Sequence, residues 1–151
     1  MIRYSQVIQN MSLLPNFIIA YEKELDEAKK ECSISGLVEK NLKELPGITE
    51  HRFNQLQEVE AVLNFMNLEL RKIKQKHYRL YLETYGKALT GRDAEKYAYA
   101  EDEVIDQEVL INEIAFIRNK YLGIIKAFES KNFQLGYIAK LHAAGMEDIR
   151  V

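Results

Sequence analysis

Five cations fall within nine residues of this 151-residue chain, Arg71, Lys72, Lys74, Lys76 and Arg79, with His77 among them and Lys87 and Arg92 following. On an α-helix, Arg71, Lys72, Lys76 and Arg79 spread over an arc of about 140°. Tyr78, Tyr81 and Tyr85 recur at i, i+3 and i+7 and flank that arc on its other side. Cations neutralise backbone phosphates, and phenol faces offer surfaces on which unstacked bases rest. The stretch therefore suits a platform for a nucleic-acid single strand, above all with several copies side by side. From the residues alone, a blander use is favoured over this one. If the chain turns back near residue 89, residues 72–79 lie opposite 99–106, where Glu101, Asp102, Glu103 and Asp106 stand. The two runs would then meet as surface ion pairs, each worth little, and the tyrosines would be a packing face.

Other chemistry is not written here. Gly86-Lys-Ala-Leu-Thr-Gly91-Arg92 lacks the terminal Gly-Lys-Ser/Thr of a phosphate loop and follows no strand pattern. His51, His77 and His142 are far apart and none has a second ligand at i+3 or i+4. No Ser or Cys sits in a nucleophile-elbow context, and the carboxylates are scattered over polar faces. The expectation is a protein with no catalytic residues, no metal and no cofactor. A formal net charge of −2 argues against coating nucleic acid with the whole surface, so anion binding must be local. The single cysteine, Cys32, permits no intramolecular disulfide and suggests a reducing compartment and a small buried side chain. No apolar run approaches the roughly 18 residues of a membrane span, and residues 1–20 lack a signal-peptide layout, so a cytoplasmic protein without membrane contact is expected.

Helices must position the basic run. Leu56, Val59, Leu63, Met66, Leu70, Ile73 and Leu80 step by threes and fours, interrupted only at His77, within one helix from Thr49 to Lys87. At 1.5 Å per residue it is roughly 55 Å long. Upstream, residues 1–14 carry no clear period and suit a loose arm or a short helix. Pro15 opens a helix whose Phe17, Ile18, Tyr21, Leu25 and Ala28 share a face. A second short helix capped by Ser33 or Ser35 runs through Glu44, and Leu45-Pro46-Gly47 stops it. Downstream, Thr90-Gly-Arg-Asp93 restarts the chain as a capping-box variant. From about Arg92 a second long helix follows, with Leu110, Ile114, Ile117, Tyr121, Ile124 and Phe128 as its seam and Ile111 and Ile125 widening it. Asn132 marks a break, and a short last helix carries Phe133, Leu135, Ile138 and Leu141 up to Gly145. With no Val/Thr-rich alternating run, the expectation is an all-α single domain. Its parts are N-terminal helices over 1–45, an antiparallel long-helix hairpin over 46–131, and a C-terminal helix and tail over 132–151. The seams also predict an oligomeric helical assembly.

The run from Leu70 to Lys87, LRKIKQKHYRLYLETYGK, resembles the helix of the phage recombination mediator (UvsY) family, in which a Lys/Arg-rich helix runs into a Tyr-Tyr-Ser-Gly-like end. Asp93-Ala-Glu-Lys-Tyr97, the acidic Glu101 to Asp106, and IRNKYLGIIKAFESKNFQLGYI are similar in order and spacing to the family's second long helix and C-terminal helix. The likeness covers residues 46 to 143. The first 40 residues are longer than the family's usual N-terminus, and the Arg71–Gly86 spacing is shorter. The resemblance implies a ring-like homo-oligomer of about six or seven subunits. Such a ring binds single-stranded DNA without sequence preference and helps load a RecA-like recombinase onto strands covered by single-strand binding protein, in the host cytoplasm if the source is a phage. Carried over by position, the DNA-contacting residues are among Lys76, Arg79 and Lys87, with Arg71, Lys72 and Lys74 as supporting charge. Tyr78 and Tyr85 join the candidate nucleic-acid-binding residues from the residue pattern itself, with packing inside as their other use. The alternatives are a helical structural or adaptor protein, such as a phage virion or assembly component acting only through protein contacts, and an enzyme's accessory subunit.

Overall fold

The computed structural model describes residues 1–85 and 88–146, and among these the fold is all-α. The helices are α1 (Tyr4–Gln9), α2 (Leu14–Glu31), α3 (Val38–Tyr85), α4 (Gly91–Tyr99) and α5 (Asp102–Ala143), with one 3₁₀ turn at Met11–Leu13. Met66, Gln55 and His77 of α3 meet Gln107, Tyr121 and Glu103 of α5 respectively, so the two long helices run in opposite directions. Their contact is the axis of the core. Val59, Val62 and Met66 face Ile114, Ile117 and Tyr121, and α2 adds Phe17, Tyr21, Leu25 and Ala28, all buried. The first residues are a short helix: α1 buries Val7, and Tyr4 N–H donates to Glu58 of α3 at 2.7 Å.

Three helix boundaries differ from the expectation. The long helix starts at Val38 and passes through Pro46 and Gly47, with no separate short helix before it. Proline costs a helix interior one hydrogen bond and a clash. Pro46 lies on the exposed side, and burial of Leu45 beside it keeps the helix continuous. Ser33 and Ser35 cap nothing at its start. Ser33 Oγ donates to Lys30 O, and Gly36, at φ +72°, makes the reversal between α2 and α3.

The second difference is a break at Ala100–Glu101, where one helix was expected from Arg92. Thr90 caps α4 as the sequence suggests, its hydroxyl accepting from Asp93 N–H at 3.2 Å. Ala94 and Ala98 are fully buried, and so is Val104 at the start of α5. In one straight helix Val104 would sit about 240° round from Ala98. Breaking the helix lets both faces turn inward and be buried.

Third, α5 does not stop at Asn132 but runs on to Ala143. Its seam continues through Lys131 and Leu135, both buried. Lys131 Nζ donates to the carbonyl of Glu31 at 2.8 Å, satisfying an acceptor at the C-terminal end of α2. Cys32, the C-cap residue of α2, is half-buried, and its thiol donates to Ala28 O at 3.3 Å. Burial raises that thiol above its ordinary pKa.

A polar cluster inside the core has no counterpart in the apolar pattern. Arg52 of α3, 3% exposed, holds Glu31 and Glu24 of α2 at 2.7 and 2.6 Å. Gln55 donates to Glu24 and accepts from Arg52 and from the Tyr121 hydroxyl. This joins α2, α3 and α5 through fully partnered polar groups rather than through hydrocarbon alone.

Candidate nucleic-acid interface

Position on the α3 wheel decides what each cation does. Taking the buried seam as reference, at about 100° per residue Lys74 lies nearest it on one flank and Lys76 nearest on the other, Tyr78 is a little further round, and Arg71, Lys72, Gln75 and Arg79 point away. Lys74 is accordingly drawn into the helix interface. Its ammonium is 2.9 Å from Glu108 of α5 and 4.5 Å from the centre of the Tyr99 ring, with only 24% of the side chain exposed. Lys76 is exposed and 3.4 Å from Glu103. Lys72 is exposed and pairs within its own helix with Glu69 at 2.7 Å. Arg71 and Arg79 are exposed and make no salt bridge among the described residues. Lys87 lies outside the described residues.

The basic run thus meets part of the acidic one. Glu103 also accepts from His77 Nε2 at 2.7 Å, and this bond, with Lys76 beside it, holds the Glu103 carboxyl below its ordinary range. His77 Nδ1 is buried without a partner among the described atoms. Asp102 and Asp106 take no part in these pairs. Leu80, placed in the seam by the heptad pattern, is 55% exposed. A straight helix drifts about 20° per heptad against a seven-residue repeat, so by this point the inward position has passed to Tyr81.

Of the tyrosines, Tyr81 is a packing residue. Its ring stacks on Tyr85 and on Tyr97 of α4, at 6.2 and 5.7 Å, and its hydroxyl donates to Glu101. That bond raises the phenol above its usual pKa. Tyr85 keeps an exposed flank, and Tyr78 is half-buried near Gly91.

What remains open to solvent is a shallow, open trough of about 530 Å³ between side chains of α3 alone, lined by Leu68, Arg71, Lys72, Gln75, Lys76 and Arg79. Among the described residues no carboxylate lines it, although Glu69 and Glu103 pair with Lys72 and Lys76 beside it. Its cations recur about one helical turn apart, a spacing of about 5–6 Å that suits successive phosphates of an extended strand. Leu68 and Gln75 belong to this surface although neither is visible as a binding residue in the charge pattern. Glu95 and Tyr99 of α4 line a separate, neighbouring depression with Tyr78, and only their i, i+4 spacing hinted that they share a face. Hydrogen bonding to Glu95 raises the Tyr99 phenol pKa.

Among the described residues no group of His, Cys, Asp and Glu side chains is placed to hold a metal ion, and no helix is long and apolar enough to cross a membrane. Comparison with protein-family models, with curated proteins and with solved structures finds no match for this chain.

Proposed function

We propose that this protein binds single-stranded DNA as a homo-oligomer and acts as a recombination mediator, helping a RecA-like recombinase displace single-strand binding protein. The observation that carries the binding step is the trough on α3, where Arg71 and Arg79 make no salt bridge among the described residues. The mediator role rests on the likeness of residues 46–143 to the UvsY family, and it involves binding without a catalytic step. A near-neutral chain carrying one short cationic strip holds DNA weakly per copy, and a ring built on the α3–α5 hairpin multiplies that contact into avidity. Self-association is supported by the outward side of α5, where Ile105, Val109, Phe116, Phe133, Tyr137 and Leu141 are each between 45% and 66% exposed.

The deciding measurement is a fluorescent oligo-dT titration at two salt concentrations. The expected result is binding that weakens steeply with salt and drops at least tenfold when Arg71 and Arg79 are both replaced by Ala. Salt-independent behaviour, or no binding at micromolar strand, rejects the proposal. The structural-adaptor reading then takes its place, favoured by the pairing of Lys72, Lys74 and Lys76 with protein carboxylates.

A further inference from the structure

Two depressions meet along α3, and their chemistry differs. Beside the outer trough lies a notch of about 430 Å³ where α4 packs against α3, lined by Arg71, Lys74, Gln75, Tyr78, Glu95 and Tyr99. Arg71 and Gln75 line both, so they form the ridge between them. The trough offers cations, an amide and one leucine. The notch offers two phenol rings, an amide and the Glu95 carboxylate, while the Lys74 charge is already matched by Glu108. A carboxylate repels phosphate but accepts hydrogen bonds from ring N–H and amino groups. The notch therefore favours a neutral, flat group with polar edges, and its volume lies in the range of about 300–1,000 Å³ usual for small-ligand sites.

We infer that the notch is a base-binding pocket. With the phosphodiester chain in the outer trough, a nucleobase turns over the Arg71–Gln75 ridge and rests against Tyr78 and Tyr99, its edge meeting Gln75 and Glu95. Arg71 faces both depressions and holds the phosphate next to that base. Tyr99 is held by the Lys74 ammonium over its ring, so part of the ordering that binding needs is already in place. The inference deepens the strand-binding proposal and rests on it.

The test compares oligo-dT with an abasic oligomer of the same length and phosphate count, by anisotropy on the intact protein. A base stacked on an aromatic ring should make oligo-dT bind about tenfold tighter than the abasic strand. Tyr99→Leu should remove that preference and leave abasic affinity unchanged, while Tyr99→Phe should retain it. Tyr99 is 46% exposed, so neither variant opens the core. Equal affinities of the wild-type protein for the two strands overturn the pocket while leaving strand binding intact, and so does a preference that survives Tyr99→Leu. Absence of binding to both strands rejects the strand-binding proposal and the pocket with it. The wild-type comparison decides the matter without any variant.

Discussion

Arg52 of α3 grips the carboxylate of Glu31 at the end of α2 through two parallel hydrogen bonds, Nε to Oε2 at 2.8 Å and Nη2 to Oε1 at 2.7 Å. Its remaining Nη1 reaches Glu24 and Gln55. A guanidinium with this little solvent is held by geometry that lysine cannot reproduce. Both carboxylates are about one-third exposed, so their removal from water is only partial.

Replacing Arg52 with Met should therefore destabilise the fold, because it leaves two half-buried carboxylates facing each other without a counter-charge. The expected loss is about 3 kcal/mol. At this chain length that lowers the thermal midpoint by about 6–12 °C. Thermal unfolding followed by circular dichroism checks it, and a midpoint within 2 °C of wild type, about 1 kcal/mol or less, contradicts it. Arg52→Lys should recover only part of the loss.

The same cluster sets a pH dependence. The Glu24 carboxyl is held below its ordinary range, chiefly by the hydrogen bond from Gln55 and then by Arg52. A carboxyl with a lowered folded pKa stabilises the fold fully above its unfolded value, near 4.3. That contribution is lost as pH falls below this value through the lower folded one. Urea midpoints should thus be flat from pH 7 to about 5.5 and fall on further acidification. Glu24→Gln should be less stable at neutral pH and show a shallower acid limb. An acid limb as steep as that of the wild type would exclude Glu24 as a contributor.

Pro46 predicts a gain. It lies inside α3, lacks the N–H that the Leu42 carbonyl would accept in a regular helix, and is exposed. Pro46→Ala restores that bond and removes the ring clash, offset by greater freedom of the unfolded chain. The net expectation is about 1–2 kcal/mol of stabilisation. A lower urea midpoint than wild type would mean that the proline ring packs more usefully than its exposure suggests.

The candidate interface divides the cations by what already holds them. In a log–log plot of oligo-dT affinity against salt, Arg71→Ala and Arg79→Ala should each reduce the slope by about one. Lys74→Ala should barely change it, because that ammonium is occupied by Glu108 and Tyr99. If Lys74 proves as important as Arg79, the strand follows the α3–α5 junction rather than the outer trough.

The apolar periodicity, the scarcity of Gly and Pro, and the Thr90 cap are local properties, and from them alone follow an all-helical chain, the inward faces of α2, α3 and α5, and the clustering of cations on one stretch of α3. The sequence also placed acidic residues near 99–106 opposite 72–79 in a folded-back chain. It could not say which cations would be consumed. Lys74 and Arg79 look alike in a charge count, and only the packing of α4 and α5 against α3 neutralises the first and leaves the second unpaired. The same holds for the boundaries at Pro46, Ala100 and Asn132. Each local signal was overruled or created by burial of residues far away in the chain, Leu45 on one side, Ala94 and Val104 on another, and Lys131 reaching Glu31 across 100 positions. Arg52 carries the same lesson, since nothing in its neighbours along the chain marks it as buried until Glu24 and Glu31 are folded against it. Helix propensity acts within a few residues, whereas the fate of a charge depends on what the tertiary fold places opposite it.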